Sequence, residues 1–207
     1  MAHTRGASQG FKRSVSMDKT EFKLVLGKGE TQTIEFKSRF PANARDLAKE
    51  VAAFASTDGG TVLLGVEDNA NVVGLDGIRS DVERKALRER IEGLCAQSIV
   101  PPVQVSIEYV RFDDLQIVLI EVPSSVDEIH YVSGRPYIRS MSISRVATPQ
   151  EVKEKILLAD IGRRLRELES ERGNQTAPAI YGQGELATMN RSDLFRLVDQ
   201  RARRKIP

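Results

Sequence analysis

The sequence predicts an α+β fold, because helical and strand-like patterns follow one another without a regular repeat. Apolar residues recur at helical spacing over residues 43–56, and an apolar run of strand length follows at Thr61–Val66. Two further β-rich runs, Gln104–Phe112 and Leu115–Val122, are separated only by two aspartates, which indicates a hairpin. We therefore expect an α+β core at about 20–150, followed by a C-terminal helical extension.

The core is predicted to begin with a short helix and a half-buried strand. A helix over Asp18–Leu26 would bury Phe22, Val25 and Leu26 and would end at Gly27. Thr31–Lys37 then alternates, with Gln32, Ile34 and Phe36 on one face and Thr33, Glu35 and Lys37 on the other. This pattern predicts a strand whose open face carries Glu35 and Lys37.

The middle of the core is predicted to pack helices against a central strand. The helix over 43–56 is rich in alanine, which allows close packing on a sheet. Gly59-Gly60 would end it and turn the chain into the strand at Thr61–Val66. Ser80 and Glu83 have the spacing of a capping box, which predicts a second helix running to about Ala96. The single cysteine, Cys95, lies in that helix and is expected to be a buried thiol.

The last predicted elements are a second hairpin and a long helix. Ser133-Gly134-Arg135 would connect short strands at 130–132 and 136–139. Thr148-Pro149-Gln150-Glu151 is typical of a helix start and opens a helix with an apolar stripe, a possible dimer contact. The domain boundaries follow as a basic N-terminal arm (1–17), the core domain (18–148), the long helix (149–172), a linker (173–189) and a short helix with a basic tail (190–207).

Composition restricts the class of protein. The 207 residues are 40% hydrophobic and 29% charged, which is typical of a soluble globular protein. No apolar run approaches the roughly 18 residues of a membrane helix, so we expect no membrane span and a cytoplasmic location. One cysteine excludes an internal disulfide and a Cys-rich zinc site.

The net charge of +2 is unevenly distributed along the chain. Residues 1–40 carry +4, residues 41–150 carry −5 and residues 151–207 carry +3. Basic ends around an acidic centre suit a polyanion that crosses an acidic, metal-holding site. Solvated termini would produce the same distribution, so charge alone does not choose between the two.

Three acids near the ends of two predicted strands form a candidate metal site. Glu30 and Glu35 are five residues apart, so they share a side only if the chain bends before the strand. Asp68 lies just beyond the central strand and would join them if the strands are neighbours. Carboxylate oxygens suit Mg²⁺ or Mn²⁺, which can activate water at a phosphodiester. Alternatively, these acids are turn formers or surface charges.

Basic and aromatic residues beside these acids are candidates for contacting nucleic acid. They are Lys37, Arg39, Tyr137 and Arg139, of which the last two share a strand face. His130 could act as a general base, although an isolated histidine beside Tyr131 is more often packed in a core. Neither Gly27-Lys28-Gly29 nor Gly59-Gly60 continues as a P-loop, so ATP binding through such a loop is not expected.

Four ordered motifs resemble the Schlafen-type AlbA-like domain. They are Glu30-x4-Glu35-Phe-Lys, Ala53-Phe-Ala-Ser-Thr-Asp-Gly-Gly60, Leu64-Gly-Val-Glu-Asp68 and Tyr137-Ile-Arg-Ser140. The resemblance covers roughly 20–150 and implies a single lobe in which helices pack on a mixed β-sheet. In bacteria this domain has been described as a DNA-binding or divergent ATP-binding module.

The resemblance also implies a site and an activity. Nuclease members of the family cut structured RNA, such as tRNA, at a metal site made of two glutamates and one aspartate, and these fall on Glu30, Glu35 and Asp68. The resemblance thus implies a Mg²⁺- or Mn²⁺-dependent endoribonuclease, with RNA favoured over DNA. Because animal relatives join two lobes, one lobe here implies a homodimer. The alternatives are a non-catalytic DNA- or RNA-binding module and, third, a nucleotide-binding signalling domain.

Overall fold

A computed structural model of the chain describes residues 19–125 and 127–173. The predicted N-terminal arm and the predicted last helix lie outside the described residues, as does the predicted linker except for Gly173. The chain divides into two compact units, Met1–Gly162 and Arg163–Pro207. The described part of the second unit is the C-terminal part of one long helix.

Helices and strands of the described residues follow the predicted order closely. The helices are α1 (Lys19–Lys28), α2 (Ala44–Ala55), α3 (Asp81–Ser98) and α4 (Pro149–Gly173). The strands are β1 (Ile34–Lys37), β2 (Gly60–Leu64), β3 (Ile99–Val100), β4 (Ser106–Phe112), β5 (Leu115–Val122), β6 (Tyr131–Val132), β7 (Arg135–Ser140) and β8 (Ile143–Val146). The α+β prediction is therefore confirmed.

The first sheet is mixed and has the order β1-β2-β5-β4. β1 runs parallel to β2, and the other neighbours are antiparallel. The predicted central strand β2 has neighbours on both sides and buries Val62, Leu63 and Leu64 completely. Gly60 opens it where a Cβ would stand 2.7 Å from Thr33 O and from the Phe54 ring, so no larger residue fits without movement.

A second sheet, in the order β3-β6-β7-β8, is antiparallel. The predicted hairpin at 130–139 forms its β6–β7 pair. Sequence analysis did not predict β3 and β8, because strands of two and four residues are too short to show an alternating pattern. β8 forms one edge of this sheet, and Met141 and Ile143 beside that edge are 83% and 65% exposed.

The first sheet is covered on both faces. α2 and α3 pack on one face, against Val62, Leu64, Val118 and Ile120. α1 packs Phe22 on the other face, against Phe36, Leu63, Ile117 and Leu119. Glu35 alternates with Phe36 and therefore points to the α2 face, where it is only 4% exposed. The prediction that this face of β1 is open is therefore wrong, because the layer that contains α2 covers it.

Capping residues begin both α2 and α3. Asn43 caps α2, with its side chain accepting from Arg45 N. The predicted capping box of α3 is present, with Ser80 and Glu83 bonded reciprocally. Cys95 is buried within this helix, and burial raises the pKa of its thiol to about 12. Within the described residues, no helix has both the length and the apolar character needed to cross a membrane.

Candidate functional site

Five side chains from four elements meet between the two sheets and form what we call the Arg139 cluster. They are Glu35 and Lys37 of β1, Glu50 of α2, Arg139 of β7 and Ser144 of β8. The strand alternation that points Glu35 away from Phe36 directs it at α2, and Arg139 lies on the inward face of β7. Packing of the β7–β8 hairpin on α2 therefore assembles the cluster.

Arg139 is the centre of this cluster and its side chain is fully buried. Its guanidinium donates hydrogen bonds of 3.0–3.1 Å to Glu50 Oε2, Ser144 Oγ, Thr31 O and Ile34 O. It also lies 2.7 Å from Glu35 Oε2 and 4.7 Å above the centre of the Phe54 ring. These contacts tie the β7–β8 hairpin to β1 and α2, so the main role of Arg139 in this arrangement is structural.

Lys37 is half-buried beside several carboxylates. Its ammonium group donates to Glu35 Oε1. Burial is the largest single influence on the pKa of Lys37 and would lower it. The hydrogen bond and charge of Glu35, together with the charges of Glu50 and Glu30, outweigh burial and raise that pKa above its usual value. Lys37 therefore stays charged and helps to neutralise the cluster.

Sequence analysis missed two members of the cluster, Glu50 and Ser144. Burial, and next the charge of Glu35, raise the pKa of Glu50, while Ser144, Lys37 and Arg139 act in the opposite direction. The hydroxyl of Ser144 donates to Glu50 Oε2. A signal was present in the sequence, because Glu50 shares the helical spacing of Leu47, Val51 and Phe54 and so lies on their buried face.

The three predicted metal ligands have different environments. Glu30 Oε1 accepts a 3.1 Å hydrogen bond from Phe36 N, which stabilises the bend before β1. Glu35 is paired with two cations, Lys37 and Arg139. Asp68 is exposed in the turn after β2. A divalent cation does not fit Glu35 while both cations hold it, and no group of three or more His, Cys, Asp or Glu side chains among the described residues is placed to bind one. Metal binding by this triad stays a prediction.

The four residues predicted to contact nucleic acid fall into two groups. Tyr137 is 8% exposed and Arg139 3% exposed, because the β7 face that they share packs on the core. Lys37 is partly exposed and Arg39 is exposed. His130 is fully buried, with Nδ1 2.8 Å from Pro101 O, as expected of a packed histidine. Arg39 is thus the best placed of the predicted contacts to meet a phosphate.

Arg39 lies on a cleft of about 760 Å³, here called the Arg39–Arg90 cleft. The loop after β1 supplies Arg39 and Phe40, the segment between β2 and α3 supplies Leu75 and Asp76, and α3 supplies Arg90. The Arg90 guanidinium stacks on the Phe40 ring, with Cζ 3.9 Å from the ring centre. The cleft therefore combines charged, planar and apolar surfaces.

Arg39, in the loop after β1, and Arg90 of α3 differ from the other cations of α3. Arg84, Lys85 and Arg88 form ion pairs with Asp81, Glu89 and Glu92 at helical spacing. Among residues 20–125 and 127–170, none forms a hydrogen bond or ion pair with the side chain of Arg39 or Arg90. Two cationic groups without anionic partners on one cleft are available to an anionic ligand.

The acidic side chains on the same cleft differ in how many hydrogen bonds they already accept. The Glu83 carboxylate accepts from Ser80 N, Arg79 N and Ser80 Oγ, and these bonds, led by the one from Ser80 N, lower its pKa. Glu67 Oε2 accepts from Asn71 Nδ2, and Asp76 is exposed. The cleft thus presents two arginines together with the acceptor oxygens of Glu67 and Asp76.

Comparison with known proteins identifies the family. Among solved structures, the DIP2311 protein from Corynebacterium diphtheriae is 21% identical, with a TM-score of 0.45 over 66% of this chain and 27% of that chain. The N-terminal domain of a RecG-related protein from Nitrosomonas europaea is 20% identical, with a TM-score of 0.43 over 62% of this chain and 92% of that chain. A search of curated proteins found no match.

The family model gives the more specific result. This chain spans about a quarter of the length of the C. diphtheriae protein, and at TM-scores below 0.5 neither likeness adds to the assignment. The model described as Schlafen, AlbA_2 matches residues 30–148, which is more than half of the chain. The match includes all four motifs noted in the sequence, the Arg139 cluster and the Arg39–Arg90 cleft. The chain therefore belongs to the Schlafen AlbA_2 family.

Proposed function

We propose that this domain binds nucleic acid through the Arg39–Arg90 cleft, and that the acids of the Arg139 cluster serve mainly to hold the fold. The family assignment suggests a nucleic-acid-binding domain. The observation that carries the proposal is the pair of arginines on one cleft without anionic partners in the described residues. Arg139 and Tyr137 are buried, so the phosphate contacts are assigned to Arg39 and Arg90.

Electrostatic contact with phosphates has a measurable consequence. Each neutralised phosphate releases condensed counterions, so the logarithm of the binding constant falls with the logarithm of salt concentration by roughly 0.7 per phosphate on a single strand. Two arginines that each contact one phosphate would together contribute about 1.4 to that slope. Cations that are already paired with acids would contribute much less to this salt dependence.

Fluorescence anisotropy with a labelled single-stranded RNA, repeated over a series of NaCl concentrations, tests this proposal. Arg39→Ala and Arg90→Ala should each weaken binding and lower the salt slope by about 0.7. Lys85→Ala is the matched control, because Lys85 is an exposed cation of α3 that is paired with Glu89. If the double arginine variant binds as tightly as the natural protein, the cleft is not the nucleic-acid site.

A metal-dependent endoribonuclease is the second candidate function. It is favoured by one observation beyond the family resemblance, namely that Glu30 is tied to β1 through Phe36 N, on the strand that carries Glu35 into the cluster with Glu50. In this proposal Glu30, Glu35 and Asp68 hold Mg²⁺ or Mn²⁺, and structured RNA such as tRNA is the substrate. The Lys37 and Arg139 pairs of Glu35 would first have to open.

The nuclease candidate is tested by incubating tRNA with the protein and Mn²⁺ or EDTA. Glu35→Ala is a poor probe, since it would leave the buried Arg139 without one of its carboxylates. Asp68→Asn and Glu30→Gln are better probes, with Glu128→Gln as an exposed acidic control. Cleavage that requires Mn²⁺ and is lost in Asp68→Asn but not in Glu128→Gln would support catalysis. Absence of cleavage, or cleavage unchanged in both probe variants, would exclude this site.

Three finer points also belong to the proposal. RNA is favoured over DNA because of the resemblance to ribonucleases, and competition between the two in the anisotropy experiment tests it. A homodimer is supported by the exposed apolar side chains beside β8. A cytoplasmic location is the third point of the proposal, and it is tested by fractionating cells that express a tagged copy of the protein.

A further inference from the structure

We infer that the Arg39–Arg90 cleft accepts one unpaired nucleotide of a single strand, with its phosphate at the arginines and an amino-bearing base at the acids. The inference rests on the proposed function and specifies its ligand. It would make the domain a reader of exposed bases, rather than a protein that only follows the backbone charge of any nucleic acid.

The size of the cleft fits a nucleotide. Its volume of about 760 Å³ lies within the range of roughly 300–1,000 Å³ that is usual for small-molecule sites. A base inside a duplex is stacked on both faces and paired at its edge, so it cannot enter such a cleft without leaving the helix. An unpaired base in a single strand or a loop can enter without that cost.

A stacking surface lies inside the cleft. The guanidinium of Arg90 is a planar ion with two faces, and the ring of Phe40 covers one of them. Phe40 also packs against the core, whereas Arg90 is exposed, so a base can extend this stack on the face of the Arg90 guanidinium opposite Phe40. Bases of single-stranded RNA commonly stack on aromatic rings and on arginine planes.

The acids on the cleft select against a simple anion. Inorganic phosphate or a dicarboxylate would be attracted by the arginines but repelled by Glu67 and Asp76. A nucleotide has an anionic phosphate at one end and N–H donors on the base edge at the other, so it complements both kinds of group. Glu83 has no such role, because three hydrogen bonds already engage its carboxylate.

The same acids predict a preference among bases. Carboxylates accept hydrogen bonds from the exocyclic amino group of cytosine, and adenine and guanine also carry such a group. Uracil presents a carbonyl oxygen, O4, where cytosine carries its amino group, and a carboxylate repels that oxygen. Apolar side chains of the cleft, including Leu75 and Ile78, would meet the sugar and the carbon edges of the base.

The test compares oligo(C) with oligo(U) of equal length by anisotropy, with a duplex of mixed sequence and cytidine monophosphate as competitors. We expect oligo(C) to bind about 10-fold more tightly than oligo(U), and the duplex to compete weakly. The double variant Glu67→Gln, Asp76→Asn should lose the preference while it still binds oligo(U). Phe40→Leu should weaken both single strands, and its thermal unfolding shows whether it has kept its fold.

Each outcome decides a separate claim. Equal affinity for oligo(C), oligo(U) and duplex that still depends on Arg39 and Arg90 would overturn this inference and leave the proposed function standing. No binding of any strand would overturn both. If cytidine monophosphate competes as strongly as oligo(C), the ligand is a free nucleotide and the single-strand assignment is wrong. A base preference unchanged in the Glu67→Gln, Asp76→Asn variant would overturn the role given to the acids.

Discussion

Replacing Arg139 with alanine tests whether the buried ion cluster holds the two sheets together. The substitution removes a cation that lies 2.7 Å from Glu35 and 3.1 Å from Glu50. It also removes one donor each from Thr31 O and Ile34 O, of which Ile34 O still accepts from Thr31 N. Glu35 would retain Lys37, but Glu50 would keep only Ser144 as a direct partner. The variant therefore contains buried acceptors and one poorly compensated charge.

The expected loss of stability is large relative to the total free energy of unfolding of the domain. Breaking a buried ion pair by removing one partner destabilises a protein by about 3–5 kcal/mol. The upper half of that range fits here, because the Arg139 side chain is fully buried and has four hydrogen-bond acceptors as well as its contact with Phe54. Since a domain of this size is stable by about 5–15 kcal/mol, the variant should lose about a quarter or more of its free energy of unfolding.

Urea unfolding followed by circular dichroism measures the effect. Arg135→Ala is the matched control, because Arg135 lies on the same strand with an exposed side chain and should change the free energy of unfolding by less than about 0.5 kcal/mol. A loss below about 1 kcal/mol for Arg139→Ala would refute the reasoning, since that is the size of an exposed pair. Weaker RNA binding without loss of stability would instead restore Arg139 as a phosphate contact.

Four further outcomes follow from the structure. Gly60→Ala should lower the free energy of unfolding by about 1–3 kcal/mol, because its Cβ would meet Thr33 O; an unchanged melting temperature would contradict this. Cys95, with a pKa of about 12, should react slowly with a disulfide reagent at pH 8 until urea unfolds the protein, and fast native reaction would show exposure. If the proposed homodimer forms through β8, Ile143→Lys should shift the mass measured by light scattering from dimer to monomer, and an unchanged dimer would place the interface elsewhere. The pKa of Glu50 is raised in the folded protein, so its contribution to stability is present below its unfolded pKa and is lost as pH rises through the folded pKa. Glu50→Gln should flatten this part of the plot of unfolding free energy, measured with urea, against pH. A plot parallel to that of the natural protein would contradict the raised pKa.

Hydrophobic patterning, together with the capping box of α3, was sufficient to predict the long elements, because the interior imposes that patterning directly. The helices α2 and α3, the central strand β2 and the β4–β5 hairpin were all evident in the sequence. Periodicity could not show which faces would be covered by a second layer. The alternation in β1 correctly separates Phe36 from Glu35, yet only the packing of α2 shows that the Glu35 face is buried.

The pattern of ion pairs along α3 points to Arg90 as a candidate binding residue, although Arg90 lies in none of the four motifs. Arg84, Lys85 and Arg88 each have an acid three or four residues away, as expected of a solvated helix face. The corresponding positions around Arg90 are Ala86, Leu87, Gly93 and Leu94, so no local acid can neutralise it. An unpaired arginine within an otherwise paired helix predicts a contact beyond the helix, here the Phe40 ring and, in our proposal, a phosphate.

Three of the four motifs that indicated the family meet in the structure around Arg139, and this affects what they can show. Glu35 comes from the first motif, Phe54 from the second and Arg139 from the fourth, and Arg139 contacts both of the others. The Glu30 side chain likewise bonds to Phe36 N within the first motif. Residues that hold two sheets together would be found in such a series of motifs whether or not the domain cuts RNA. The motifs are therefore evidence for the fold, and evidence for catalysis has to come from residues without a structural duty, of which Asp68 is the exposed one.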